Sequence, residues 1–218
     1  MSTPDHQSSI LQSPIGMSAA AMKREWPLWR ILLGLTLPLY ILDQWSKFWV
    51  VANFPEPDPG KFSSGVEKPV IEGVFNLVRV HNQGVAFGFG NGSDWAPVVF
   101  LAVPIIALVL ITLGLRHNFF IGNWGRVAVG LLLCGIFGNL TDRLIQGSRL
   151  SYMEGAPLWD RLKAGYVVDF LDFTIPVVNY RWPSFNVADS CICVAAALLF
   201  FTGLKADLQK KERPVSEG

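Results

Sequence analysis

Charge is what this 218-residue chain has least of: Asp, Glu, Lys and Arg make up 16% of it, against roughly 25% in an ordinary soluble domain. With 51% hydrophobic residues and a mean hydropathy of +0.36, the composition is that of a membrane protein. The net charge of +1 leaves no broad basic surface for nucleic acid and no acidic tail, so no nucleic-acid partner is expected. Cysteine is scarce as well. Cys134, Cys191 and Cys193 all lie in apolar segments, and an odd number there is no disulfide framework. Cys191 and Cys193 fall on different sides of a helix and are badly placed to share a metal, so all three read as small core residues. His81 has no second histidine near it in sequence, which leaves a surface or strand role and no metal site. The first 22 residues lack any apolar run and read as part of a disordered tail spanning residues 1–25. The apolar segment after Lys23 and Arg24 lacks a small-residue cleavage site and continues past Asp43 to Trp49, so it is expected to be retained.

What the chain does have is long apolar runs. Four can cross a bilayer at about 20 residues per span: Trp26 to Val51, Trp95 to Leu115, Val127 to Thr141 with its flanks, and Phe185 to Leu204. The expected architecture is therefore an all-α integral membrane protein, a four-transmembrane-helix bundle within residues 26–205, with a tail at 206–218. Nine of the 18 Lys and Arg fall on each side. They are denser on the side holding both chain ends, which makes that side cytoplasmic. Between the first two spans, residues 53–94 are broken by Pro55, Pro57, Pro59 and Gly60, and Val70 to His81 reads as a strand or hairpin, a small extracytoplasmic β-cradle. In the connection before the last span, Asp142-Arg143-Leu144 recurs as Asp160-Arg161-Leu162, with Gly147 and Gly165 in matching places. This suggests an insertion over residues 143–160, whose Leu158, Trp159 and Leu162 form an apolar face.

Four spans put the end of the first, the end of the third and the start of the fourth on one side of the membrane. Asp43 and Lys47, Asn139 and Asp142, and Asn186 and Asp189 all lie there, each pair spaced i,i+3 or i,i+4 on one helix face. Ionisable groups at membrane depth cost roughly 2.5 to 3.5 kcal/mol unless paired or hydrated, so these stripes should face a polar pocket. Asp43 with Lys47 reads first as a helix-supporting ion pair, and Asp142 beside Arg143 as another. Asn139, Asp142 and Asn186 serve equally as interhelical hydrogen-bond glue or as site residues. Asp189, without a basic neighbour in sequence, points to function. Asp169 sits in what reads as a loop and is open to simple solvation. If Asp169 and Asp189 meet, a carboxyl pair sharing one proton can activate water against an amide.

These residues fall in five ordered motifs: Asp43-Gln44-Trp45-Ser46-Lys47, Asn82-Gln83-Gly84-Val85-Ala86-Phe87-Gly88, Gly138-Asn139-Leu140-Thr141-Asp142-Arg143, Val167-Val168-Asp169-Phe170 and Phe185-Asn186-Val187-Ala188-Asp189-Ser190. In them the chain resembles lipoprotein signal peptidase, the type II signal peptidase of bacterial inner membranes. The resemblance implies an aspartyl endopeptidase that cuts prolipoproteins before a diacylglyceryl-modified cysteine, without metal or other cofactor, with these prolipoproteins and membrane lipids as partners. It assigns Asp169 and Asp189 as the catalytic dyad. Asn82, Asn139, Asp142, Arg143 and Asn186 match substrate-binding positions, and Asp43, Lys47, Gly84 and Phe87 supporting ones. Three departures stand out: Val85, then Cys134 and Ile136 before Gly138, and the insertion between Asp142 and Asp169. Asp172 is the alternative loop aspartate. The other functional classes are a proton pathway, disfavoured because the polar groups cluster on one side, and a non-catalytic lipid scaffold.

Overall fold

A computed structural model describes residues 26–84, 95–120 and 122–211. The segments expected to form the amino-terminal tail, and Val85, Phe87 and the glycines from Gly88 to Gly92, lie outside those residues. Helical backbone begins with α1 (Leu28–Ile31), passes through a π-helical turn (Leu32–Thr36) and continues as α2 (Leu37–Asn53). The π turn has a local cause. Pro38 lacks an N–H to give to the preceding turn, and the Leu37 amide bonds the carbonyl of Leu32, five residues back. There the Thr36 hydroxyl donates to the Gly130 carbonyl at 2.9 Å. A Cβ on Gly130 would come within 2.5 Å of Ile31 Cγ2, so a bare glycine permits the crossing.

Among the described residues, three helices are long and apolar enough to cross a membrane: α3 (Ala96–Arg116), α4 (Gly122–Ile145, extended by a 3-10 turn to Arg149) and α6 (Val187–Lys211). α4 and α6 pack closest, because Gly135 and Gly138 leave no side chain between them. A Cβ on Gly135 would lie 2.7 Å from the Ala188 carbonyl oxygen. Cys134, Cys191 and Ala195 fill this interface; of the three cysteines expected in the core, Cys193 is instead exposed. Ile136 and Val129 of α4 cluster with Ile111 of α3. Away from these contacts Ile105, Ile106, Leu110, Phe200 and Phe201 are exposed, an apolar exterior suited to lipid.

The chain is not all-α, and its strands are not confined to the first long connection. β1 (Ser63–Ile71) and β2 (Phe75–Asn82) form a hairpin that starts seven residues before the stretch expected to hold a strand or hairpin, and β3 (Val167–Ile175) and β4 (Tyr180–Arg181) join them in an antiparallel sheet ordered β1-β2-β3-β4. The Val167–Ile175 segment, with Val, Phe, Leu, Thr and Ile, suits a pleated surface. Its partner β2 lies almost 90 residues earlier, so the pairing has no local signature. One face of the sheet closes over the end of α2 through Val50, Phe54, Leu150, Tyr166, Val168 and Phe170. His81 is buried there against Tyr166, ring centroids 3.6 Å apart, rather than at the surface.

Residues 143–160 form the end of α4, two short 3-10 turns and the entry to α5 (Leu158–Lys163). The excursion closes on itself at two glycines. A side chain on Gly147 would strike the carbonyl of Arg161, and one on Gly165 the carbonyl of Arg143. Leu158 and Trp159 are exposed, while Leu150 is buried in the core beneath the sheet.

Candidate functional site

The polar stripes of α2, α4 and α6 meet at one end of the bundle, against the start of β3. The six residues expected on one side, Asp43, Lys47, Asn139, Asp142, Asn186 and Asp189, form one connected network there. Asp169 enters it from the sheet and not from a loop: it is on β3 opposite Val80, and it is 2% exposed. What brings it to α6 is a backbone bridge. Phe185 accepts from the amides of Phe170 and Leu171 and donates to the Leu171 carbonyl, which fixes the start of α6 beside β3.

Asn186 links the two aspartates. Its Nδ2 donates to Asp169 Oδ1 at 2.7 Å, and its Oδ1 accepts the Asp189 amide at 2.9 Å. Asp189 receives Asn139 Nδ2 at 2.7 Å and the Asn186 backbone amide at 3.3 Å. Asp169 Oδ2 receives Asn82 Nδ2 at 2.9 Å, and Asn82 Oδ1 in turn caps the Gly84 amide. Burial, and after it the negative charge of Asp189, push the Asp169 carboxyl up to about 8. The protonated form of Asp169 is thereby favoured beside a less buried Asp189. On the far side of the sheet burial, with help from the Arg79 charge, pushes His81 down to about 3, so it stays neutral and accepts from Arg79 Nε.

Lys47 has more partners than the sequence suggests. Besides Asp43 at 2.9 Å, its ammonium contacts Asp142 at 3.1 Å and Asn139 Oδ1 at 3.0 Å. The i,i+4 spacing foretold the first contact, but the other two cross between helices and left no sequence signal. Asp142 is accordingly paired with Lys47 and not with its neighbour Arg143. Arg143 reaches away, donating to the Gly84 carbonyl at 2.8 Å with its guanidinium 4.6 Å from the centre of the Phe100 ring. Asp160, the counterpart of Asp142 in the sequence echo, is exposed on α5. Asp172 is buried on the sheet but engaged elsewhere, held by Arg181 at 2.8 Å through both carboxylate oxygens and by Asn76 at 3.3 Å.

A groove of about 370 Å³ opens beside this network. Asn82, Asn139, Arg143 and Asp189 form its polar end, and Phe100, Val103 and Ile192 are among its apolar walls. Ala107, Leu132 and Ile136 also line a second, apolar recess of about 480 Å³ bordered by Phe119 and Phe120. Ile136, one of the bulky departures, thus lines the groove. Asp142, Asn186 and Asp169 lie behind its surface. An extended chain in the groove would lie along amide and guanidinium groups at one end and hydrocarbon at the other. Among the described residues, no cluster of three or more His, Cys, Asp or Glu is placed to hold a metal ion.

This geometry coincides with a family likeness over most of the chain. The family model described as signal peptidase (SPase) II matches residues 35–205. The lipoprotein signal peptidase of Alteromonas mediterranea is 34% identical over 186 residues, covering 85% of this chain and 86% of that protein. That of Nitratidesulfovibrio vulgaris is 36% identical over 177 residues, covering 79% and 88%. A solved bacterial membrane enzyme superposes with a TM-score of 0.66 at 25% identity, covering 88% of this chain and 98% of that one. With the family model matching residues 35–205 and relatives above 30% identical over most of its length, the chain belongs to the signal peptidase II family and is a protease of bacterial membranes.

Proposed function

We propose that the chain is an aspartyl endopeptidase that removes the signal peptide from prolipoproteins by cutting the amide bond before a diacylglyceryl-modified cysteine. The observation that carries this reading is Asn186 holding Asp169 and Asp189 together at the polar end of an apolar groove. Asp189, ionised and open to the groove, takes a proton from water as the oxygen attacks the scissile carbonyl. Asp169, holding its proton, donates toward the carbonyl oxygen as negative charge develops there. The resulting tetrahedral species collapses when the amide nitrogen is protonated from the pair and leaves as the cysteine's free amine. Asn82, Asn139 and Arg143 border the position of the peptide backbone and orient it. Asn186 and Asp142 act from behind, and Gly84 receives Arg143 at the rim. Hydrocarbon from the signal peptide and the lipid-modified cysteine suits the groove's apolar walls.

In this reading residues 28–53 supply the first of four spans, α3, α4 and α6 the others, and residues 26–205 form the peptidase unit. The chain ends, including residues 206–218, are cytoplasmic, and the sheet with the carboxyl pair faces the extracytoplasmic side of the inner membrane. The test is cleavage of a diacylglyceryl prolipoprotein by the full chain in detergent, compared with Asp169→Asn and Asp189→Asn. Both substitutions should abolish the product. Undiminished cleavage by either removes the dyad.

A further inference from the structure

Behind the carboxyl pair lies a second, fully buried charged group with an unexpected symmetry. The Asp142 carboxylate accepts the backbone amide of Val168 at 3.0 Å, the residue immediately before Asp169. The Asp43 carboxylate accepts the backbone amide of Ala188 at 2.8 Å, the residue immediately before Asp189. Lys47 lies between, 2.9 Å from Asp43 Oδ2 and 3.1 Å from Asp142 Oδ2, and all three side chains are excluded from solvent. We propose that Asp43, Lys47 and Asp142 are positioning residues, a brace that sets the separation of Asp169 and Asp189 by holding the backbone one residue upstream of each.

The physical reason lies in how the two aspartates are supported. Asp169 belongs to a strand and Asp189 to a helix, and these elements have no covalent reason to keep a fixed spacing. Each arm of the brace is a charge-assisted hydrogen bond from a carboxylate to a main-chain N–H. The ammonium draws the two carboxylates to a common point, and removing it would leave two like charges facing each other in a dry site. The same Lys47 also donates to Asn139, which holds Asp189, so the cation reaches the pair by a third route. The site leaves little slack: a Cβ on Gly138 would lie 2.6 Å from Asp43 Oδ2.

This inference rests on the dyad reading above and is tested with it. The full chain in detergent is assayed on the diacylglyceryl prolipoprotein with Asp142→Ala, Asp43→Ala and Lys47→Met, beside Asp142→Asn and Asp43→Asn. An asparagine oxygen still accepts the Val168 or Ala188 amide, and alanine cannot. The alanine and Lys47→Met variants should lose kcat by about 100-fold, the effect of displacing reacting groups by about an ångström. KM should stay within about threefold, and each asparagine variant should recover about tenfold of the lost kcat. Equal activity in alanine and asparagine variants, or a loss confined to KM, overturns the brace. So does failure of all the alanine variants to fold, which assigns these residues to the fold alone. Asp169→Asn and Asp189→Asn controls separate the two readings. If both are dead while the alanine variants cleave normally, only the brace falls; if either cleaves normally, the dyad itself falls.

Discussion

The Nδ2 of Asn186 lies 2.7 Å from Oδ1 of Asp169, and the other end of the same amide accepts the Asp189 backbone N–H at 2.9 Å. One neutral side chain thus holds the Asp169 carboxyl and the Asp189 main chain without adding charge between them. Asn186→Ala should leave the fold intact and lower kcat by about 100-fold, the scale of losing one well-placed polar group at a reacting centre. KM should change little. Initial-rate kinetics on the prolipoprotein check both values.

The proton on Asp169 gives the pH profile a direction. Burial and the Asp189 charge push its carboxyl up to about 8, so with Asp169 as the proposed donor kcat should fall as pH rises through about 8. The same linkage acts on stability. A proton held more tightly in the folded state stabilises fully below the unfolded pKa, and that contribution is lost as pH rises through about 8. Rates and thermal unfolding between neutral and alkaline pH measure the two effects side by side.

Gly138→Ala should separate α4 from α6. The new methyl would meet Asp43 Oδ2 at 2.6 Å and Ala188 Cβ at 2.9 Å, and neither atom belongs to the free end of a long chain. Overpacking of this kind costs about 1–3 kcal/mol. A lower unfolding temperature in detergent, accompanied by lost cleavage, is the expected result.

Asp172→Asn should behave in the opposite way. Asp172 is tied to Arg181 on the sheet, and the network around Asp169 makes no use of it. Cleavage should stay within about threefold of the parent chain. Stability should fall by about 1–3 kcal/mol, because one acceptor oxygen of the pair with Arg181 becomes an amide N–H facing the guanidinium. The kinetic assay and thermal unfolding, run on one preparation, distinguish it from the effects at Asp169.

Leu150→Ala tests whether the excursion between Asp142 and Asp169 is more than an appendage. Leu150 packs with Val50, Phe54 and Tyr166 beneath the sheet. Truncation should cost about 2–5 kcal/mol as a buried large-to-small change. Trp159→Ala, on the exposed face of α5, should leave the unfolding temperature unchanged.

By itself the sequence determined the solvent and the parts of this protein. Its low charge and long apolar runs imply a membrane. The i,i+3 and i,i+4 spacings in α2, α4 and α6 placed six polar residues at one end of the bundle, because helical geometry is local and periodic. The motif order was enough to indicate the family. What only the tertiary structure decided are contacts between elements distant in sequence. Pairing with β2 turned the expected loop around Asp169 into a buried strand, and the Phe185 bridge carried that strand to the start of α6. Asp142 turned from its neighbour Arg143 to Lys47, more than 90 residues away. Asp172 went to Arg181, although in sequence it stands only three residues from Asp169. Such choices depend on which buried donor or cation lies within about 3 Å of a carboxylate once the helices and sheet have packed, and no local pattern encodes that distance.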